Sequence, residues 1–186
     1  MELIQYPQEK CGAGIAKAIL ALEDTAWPQG PEEQSFPSAP NTYVTSFILM
    51  EKGRAICHVG IRKSALHHRG EAYLAYGLSE VVTHPAYQAK GLATQTIQRA
   101  AEFLAAQGAD LSIFTCTKEN VGLYARCGWE QMPGACLVGG IKSKPFRSDS
   151  LNLATMMRLL SPKAKRHRAD FGQGDIVLEL GENQLW

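Results

Sequence analysis

The sequence predicts a mixed α/β fold built on one central, mostly antiparallel sheet, and three observations carry that expectation. Thr42 to Glu51 and Arg54 to Ile61 are apolar runs joined by Glu51-Lys52-Gly53-Arg54, which reads as a β-hairpin. A third run, Ala72 to Thr83, leads through His84-Pro85-Ala86-Tyr87 into a long helical pattern. Beyond that helix lies another short apolar run, Leu111 to Cys116, and then a second helical stretch. Hairpin strands followed by helix, strand and helix make a mixed sheet with flanking helices.

Taken in order, Glu2 to Tyr6 is a first strand, and Gln8 to Ala26 carries Ile15, Ile19 and Leu22 at helical spacing. Trp27-Pro28-Gln29-Gly30-Pro31 breaks that helix, and Trp27 to Pro40 reads as a long loop. His67-His68-Arg69-Gly70-Glu71 is a second turn. In the next helix Ala93, Ile97, Ala100, Ala101 and Leu104 share one face, and Gly108 ends it. Asp110 to Thr117 is a short buried strand, and the helix with Leu123-Tyr124-Ala125-Arg126 closes at Cys127-Gly128-Trp129-Glu130. Later, Ala135 to Val138 reads as a strand, Gly139 to Pro145 as a loop, Leu151 to Leu160 as strand or short helix, and Ile176 to Leu180 as a last strand.

The chain has 186 residues, 45% of them apolar and 20% charged, with a formal net charge of +1. That length favours a single domain over 1–186, best supported over 42–130, with a core that needs no staples. The small net charge gives no argument for nucleic acid. The basic run Lys163 to Arg168 reads as a solvated loop. Five scattered cysteines include no Cys-x-x-Cys pair, so no metal site is expected. The N-terminus lacks the features of a signal peptide, and no apolar run approaches the ~20 residues of a membrane span. A cytoplasmic location with reduced thiols is therefore expected.

The most informative stretch is Gln88-Ala89-Lys90-Gly91-Leu92-Ala93, between a strand and a helix. The first amides of a helix lack internal partners and carry the positive end of its dipole, so they attract phosphate. Gly91 lets such a group approach without a Cβ in the way. The stretch is neither a P-loop nor a Gly-x-Gly-x-x-Gly fingerprint.

The spacing Gln88, Gly91, Ala93 resembles the acetyl-CoA pyrophosphate loop of the GNAT-type N-acetyltransferases. Leu123, Tyr124, Gly128 and Trp129 are similar to the Leu-Tyr-x-x-x-Gly-Phe/Trp motif that closes the family's second cofactor-contacting helix. Together with His58-Val59-Gly60-Ile61 and Gly77-Leu78-Ser79-Glu80, these motifs look most like the aminoglycoside 2′-N-acetyltransferases. The resemblance implies a GNAT-like sheet with a V-shaped cofactor cleft. It implies acetyl-CoA as donor, held by Val81, Val82 and the loop residues Gln88, Ala89, Lys90, Gly91, Leu92 and Ala93. It implies a small-molecule amine as acceptor, an aminoglycoside-like amino-sugar in the closest case, with Trp186 near that substrate. No nucleic acid or membrane partner is implied, and a homodimer is allowed. Asn183, Gln184 and Leu185 stand where those enzymes carry an acidic residue and a glycine before the last tryptophan.

Direct transfer needs a base for the amine and an acid for the departing thiolate. Glu80 corresponds to the base and Tyr124 to the acid. Read by residue type alone, Glu80 fits equally a strand glutamate at a sheet edge paired with Lys or Arg, and Tyr124 fits a core tyrosine. His84 is an alternative base at the strand end. His67 and His68 read as turn residues, and Cys116 as a small buried thiol rather than an acyl carrier. Other acceptors, such as a polyamine or a protein amine, and a non-catalytic acyl-CoA-binding module are the rival readings.

Overall fold

The computed structural model describes residues 1–28, 36–37 and 40–186. Its strands are β1 (Glu2–Pro7), β2 (Tyr43–Glu51), β3 (Arg54–His68), β4 (Glu71–Thr83), β5 (Leu111–Cys116), β6 (Glu130–Gln131), β7 (Gly134–Ile141), β8 (Lys144–Arg147), β9 (Ala154–Leu159) and β10 (Gln173–Val177). Its helices are α1 (Ala13–Glu23), α2 (Leu92–Ala106), α3 (Val121–Arg126) and α4 (Pro162–Arg166). Among the described residues the hydrogen-bonded strand order is β1-β2-β3-β4-β5-β9-β6 in one sheet and β10-β7-β8 in another. The backbone gathers into two compact units, 1–62 with 79–100, and 63–78 with 101–186.

In the first unit β1 runs antiparallel to β2, from Glu2 opposite Met50 to Pro7 opposite Thr45. Strands β2 and β3 form the hairpin that the sequence predicts, turned at Lys52 and Gly53, both in the left-handed region. The alternation of side chains gives this part of the sheet two buried faces. Ile48, Ala55 and Val82 pack under Ile19 and Leu22 of α1. Leu49, Ile56 and Cys57 face the opposite way, against Tyr87, Leu92 and Ala93 at the start of α2. Ile19 and Leu22 are almost fully buried, and each such side chain contributes about 1.5–3 kcal/mol. Helix α1 is shorter than its sequence pattern: a 3₁₀ turn covers Gln8–Lys10, and Gly12 begins the α-helix in extended conformation. Most of the loop expected over 27–40 lies outside the described residues.

In the second unit β5 pairs with β9 over its whole length, from Leu111 opposite Leu159 to Cys116 opposite Ala154. It pairs in parallel with β4 only at Ala75 opposite Leu111 and Tyr76 opposite Ser112. Phe114 of β5 carries Tyr124 and Trp129 edge-on, at 4.7 and 5.7 Å between ring centroids. The Trp129 indole donates to Ser112 Oγ at 3.0 Å, which satisfies a polar atom that burial would otherwise strand.

Several sequence expectations change here. The stretch 139–145 is not a loop: β7 continues to Ile141, and a tight turn returns the chain as β8. The last strand is displaced toward the N-terminus, to Gln173–Val177, because it runs parallel to Gly134–Val138 and that register fixes it. Leu151 to Leu160 resolves as the strand Ala154–Leu159. His67 and His68 end β3 rather than forming the turn, which is Arg69-Gly70. His68 is buried, stacks on Phe171 at 5.0 Å and bonds the Asp170 carbonyl at 2.8 Å. The basic run is a short helix and turn rather than a loop, with Lys165, Arg166 and Arg168 exposed. Ser161 caps α4 by accepting from Ala164 N, Lys163 pairs with Asp110, and Arg168 pairs with Glu130.

Asp110 holds the start of β5 to its surroundings. Its carboxylate accepts from Leu74 N at 2.9 Å and from Ser161 Oγ at 2.6 Å. Partial burial pushes that carboxyl up, but these hydrogen bonds and the Lys163 charge outweigh it and hold the group below its usual range. A depressed carboxyl contributes stability that is present above the unfolded-state value and is lost as pH falls through the folded one. Asp110→Ala is therefore expected to cost about 1–3 kcal/mol at pH 7. In urea unfolding of both proteins the difference should shrink toward pH 3; a constant difference would sink this account.

Candidate active site

The chemistry-bearing side chains of the first unit converge on one buried point beneath the end of α1. His58 on β3 is fully buried. Its Nε2 lies 3.1 Å from both the Tyr43 hydroxyl and Ser46 Oγ, two groups of β2 that are themselves 3.0 Å apart. The other imidazole nitrogen, Nδ1, is 3.5 Å from Glu23 Oε1 at the last residue of α1. That separation is too long for a hydrogen bond, and among the described residues neither atom has another hydrogen-bond partner. Phe36 stands edge-on to both the Tyr43 ring and the imidazole, at 5.2 and 5.9 Å.

Glu80 joins this group through its backbone. Its φ is +53°, a left-handed conformation inside β4. A residue without glycine's freedom pays about 1–3 kcal/mol to hold such an angle and does so only when its surroundings demand it. One ligand atom each from Glu80, His58 and Glu23 lies within 4.8 Å of the other two. In the sheet order β4 lies between β3 and β5, but β4 pairs with β5 only at Ala75 and Tyr76, so Glu80 stands beyond that pairing, beside the charge of Arg62.

Electrostatics bind Tyr43 and Arg62 to the same point. Burial first, and then the Glu80 charge, push the Tyr43 hydroxyl well above its usual range, so it stays protonated and donates. Arg62 is buried; burial lowers its guanidinium, and the charge of Glu80 opposes that shift. Its Nε donates to Thr42 Oγ1 at 3.0 Å. Gly60 makes the approach of Tyr43 feasible: a Cβ there would lie 2.5 Å from the Tyr43 hydroxyl and 3.0 Å from the Ser79 carbonyl.

The loop after β4 has the form the sequence predicts. Ala89 and Gly91 are left-handed, at φ +59° and +76°, and a Cβ at Gly91 would meet nothing within 4 Å. Gln95 N donates to Gly91 O and closes the first turn of α2. The amides just before it are those a helix offers to an anion. Gln88, Ala89, Lys90 and Gly91 are exposed, while Leu92 and Ala93 turn toward the core. Val82 is buried against α1, and Val81 is half-buried. His84, the alternative base, accepts from Ala86 N through Nδ1 and so caps the 3₁₀ turn that follows.

In the second unit Tyr124 is buried, and desolvation pushes its phenol far above the usual range. Burial likewise pushes the Cys116 thiol up to about 11, which leaves it a poor nucleophile. Trp186 is buried where β5 has stopped pairing with β4. Its carbonyl accepts from Thr115 N at 2.7 Å and from Thr115 Oγ1 at 2.5 Å. A Cβ on Gly77 would collide with the Trp186 ring.

Residues 14–132 match the family described as acetyltransferase (GNAT) domain. The chain belongs to that family. Among solved structures, this GNAT protein is similar to Escherichia coli ElaA, at 12% identity and a TM-score of 0.62 over 84% of this chain and 98% of that one. It is also similar to a GNAT family acetyltransferase from Brucella melitensis in complex with acetyl-CoA, at 17% identity and a TM-score of 0.60 over 96% of each chain. A third similar structure is the ribosomal-protein-S18-alanine N-acetyltransferase from Escherichia coli, at 14% identity and a TM-score of 0.55 over 86% of this chain and 95% of that one. At such identities the likeness is one of fold. No curated protein matches the chain. As a GNAT acetyltransferase it is an acyltransferase with acetyl-CoA as its acetyl donor. No helix among the described residues is long and apolar enough to cross a membrane.

His58, Glu23, Tyr43 and Arg62 are the residues that sequence reasoning assigned no role. A signal exists: His58 and Arg62 are the two polar side chains of the stretch 55–62, on the same face as Gly60. Gly60→Ala tests the packing that unites them. We expect a loss of about 1–3 kcal/mol in denaturant unfolding from overpacking against Tyr43. A variant as stable as wild type would show that the Tyr43 contact is loose.

Proposed function

We propose that this GNAT acetyltransferase transfers acetyl directly from acetyl-CoA to a primary amine, with Glu80 receiving the proton that the amine gives up. The observation that carries this reading is the left-handed Glu80, whose strained backbone delivers a carboxylate to a buried cluster containing His58, Glu23 and Tyr43. A backbone cost of that kind is characteristic of functional sites. Acetyl-CoA supplies the activated acetyl group: a new C–N bond forms as the thioester C–S bond breaks. The chain's own part is to hold the acceptor, take its proton and return one to the thiolate.

Tyr124 takes the acid role in this reading. The support is its place in the Leu123 to Trp129 motif and a buried phenol that keeps its proton at neutral pH. The amides from Gln88 to Ala93 take the pyrophosphate, supported by the open, left-handed Gly91 at the start of α2. Val81 and Val82 line the donor side in the same reading. The finer possibility, an amino-sugar acceptor touching Trp186, rests on the sequence motifs alone; the structure places that residue against Gly77 and Thr115.

The test is release of CoA from acetyl-CoA with a panel of amines that includes several aminoglycosides. Turnover with at least one primary amine is expected, falling about 10²–10⁴-fold in Glu80→Gln with the KM for acetyl-CoA little changed. Tyr124→Phe should also lower kcat. Turnover confined to other amines would sink the amino-sugar reading and keep the class. Saturable acetyl-CoA binding without turnover of any amine would point to a binding module, and full activity in Glu80→Gln would move the base elsewhere.

A further inference from the structure

Three cations line one cavity of the second unit. Its volume is about 350 Å³, and its walls are Gly128, Glu130, Arg158, Leu159, Lys165 and Arg168. The single carboxylate is already engaged: Arg168 donates from both terminal nitrogens to the two oxygens of Glu130. Among the described residues no carboxylate forms an ion pair with Arg158 or Lys165. The cavity therefore holds two positive charges that nothing in its walls answers.

Arg158 is the oriented member of the set. Its guanidinium carbon stands 5.5 Å from the centre of the Trp129 ring, a cation–π contact. A Cβ on Gly128 would lie 3.4 Å from that carbon and 3.6 Å from Nε and from Nη1. The carbon is the nearest of the three, so Gly128 backs the flat of the guanidinium rather than its N–H edge. The donors all lie in that edge, and among the described residues none of them has an acceptor. Burial pushes the Cys127 thiol up while Arg126 and Arg158 draw it back, so positive potential reaches from the cavity to the end of α3.

We infer that Arg158, Lys165 and Arg168 form a seat for the phosphate monoester of a small molecule. Charge selects the head group. A carboxylate or a phosphodiester brings one negative charge to two unmatched positive ones, whereas a monoester brings nearly two at neutral pH. Shape agrees: the edge of Arg158 takes two oxygens as a fork, and the Lys165 ammonium takes a third. The body has a place of its own. A second cavity, of about 580 Å³, shares Arg168 with the first and adds Gln131, Met132, Pro133 and Arg166. Met132 and Pro133 make one side of it apolar, and a cavity of that size suits a small ligand. None of the three cations has a part in the proposed acetyl transfer, so the seat stands or falls apart from that reading.

The experiment is isothermal titration calorimetry of the whole chain at neutral pH and low salt, with phenyl phosphate, methyl phosphate, dimethyl phosphate, acetate and a phosphoserine peptide. Saturable binding of phenyl and methyl phosphate is expected, phenyl phosphate the tighter, with dimethyl phosphate and acetate about tenfold or more weaker. Lys165→Met, at an exposed position, and Arg158→Gln should each weaken phenyl phosphate about tenfold or more. Arg158→Lys keeps the charge but loses the fork, and should weaken it too. Glu130→Gln releases Arg168 and should tighten phenyl phosphate by about two- to fivefold, a gain that a merely structural role for these residues would not give. Equal affinities for all the anions, or saturable binding of none, would overturn the seat, as would wild-type affinity in both Lys165→Met and Arg158→Gln. A phosphoserine peptide that binds more tightly than phenyl phosphate would overturn the small molecule as the source of the phosphate.

Discussion

A fully buried imidazole sets the terms for one face of the first unit. His58 stays inside the sheet because Tyr43 and Ser46 occupy its Nε2, and an unsatisfied buried ring nitrogen costs about 1–3 kcal/mol. That requirement reaches outward. Tyr43 fits only because Gly60 has no side chain, and Tyr43 stays protonated because it is buried beside Glu80. Glu80 in turn reaches the cluster at the expense of a left-handed backbone. The series ends at Nδ1 and Glu23 Oε1, which face each other across 3.5 Å.

The second unit solves a different problem. Strand β5 is bonded along its whole length to β9 but to β4 at only two residue pairs. A strand freed from its neighbour must find other partners for its polar groups. Thr115, beyond the last β4 pair, finds one in the Trp186 carbonyl. The aromatic stack of Tyr124, Phe114 and Trp129 then fills the space around β5. The same packing that stabilises this unit keeps the Tyr124 phenol protonated, so a structural demand and a candidate acid coincide in one side chain.

Much of the fold was legible because its signals are local. The hairpin at Lys52-Gly53, the glycine loop before α2 and the end of α3 at Gly128 each follow from a left-handed residue within a periodic pattern. The β7–β8 hairpin was not legible. Gly139, Gly140 and Pro145 look like loop chemistry, yet Gly139 and Gly140 lie where the chain backs closely against Gln184 and Lys144, and a side chain would not fit. The basic run misled for a related reason: Lys163 and Arg168 answer Asp110 and Glu130, residues far away along the chain.

By itself the sequence determined the hairpin, the strands and helices from Glu2 to Arg126 in their order and the glycine loop at residues 88–93, because these depend on neighbours a few residues apart. It also named Glu80 and Tyr124 through short motifs. Tertiary structure alone decided what surrounds Glu80. A glutamate at the end of α1, a histidine in mid-strand and a glutamate in a left-handed kink carry no mutual signal along the chain. They meet because α1 packs its apolar face on β2, β3 and β4, and only that packing removes the water that would otherwise answer each of their charges.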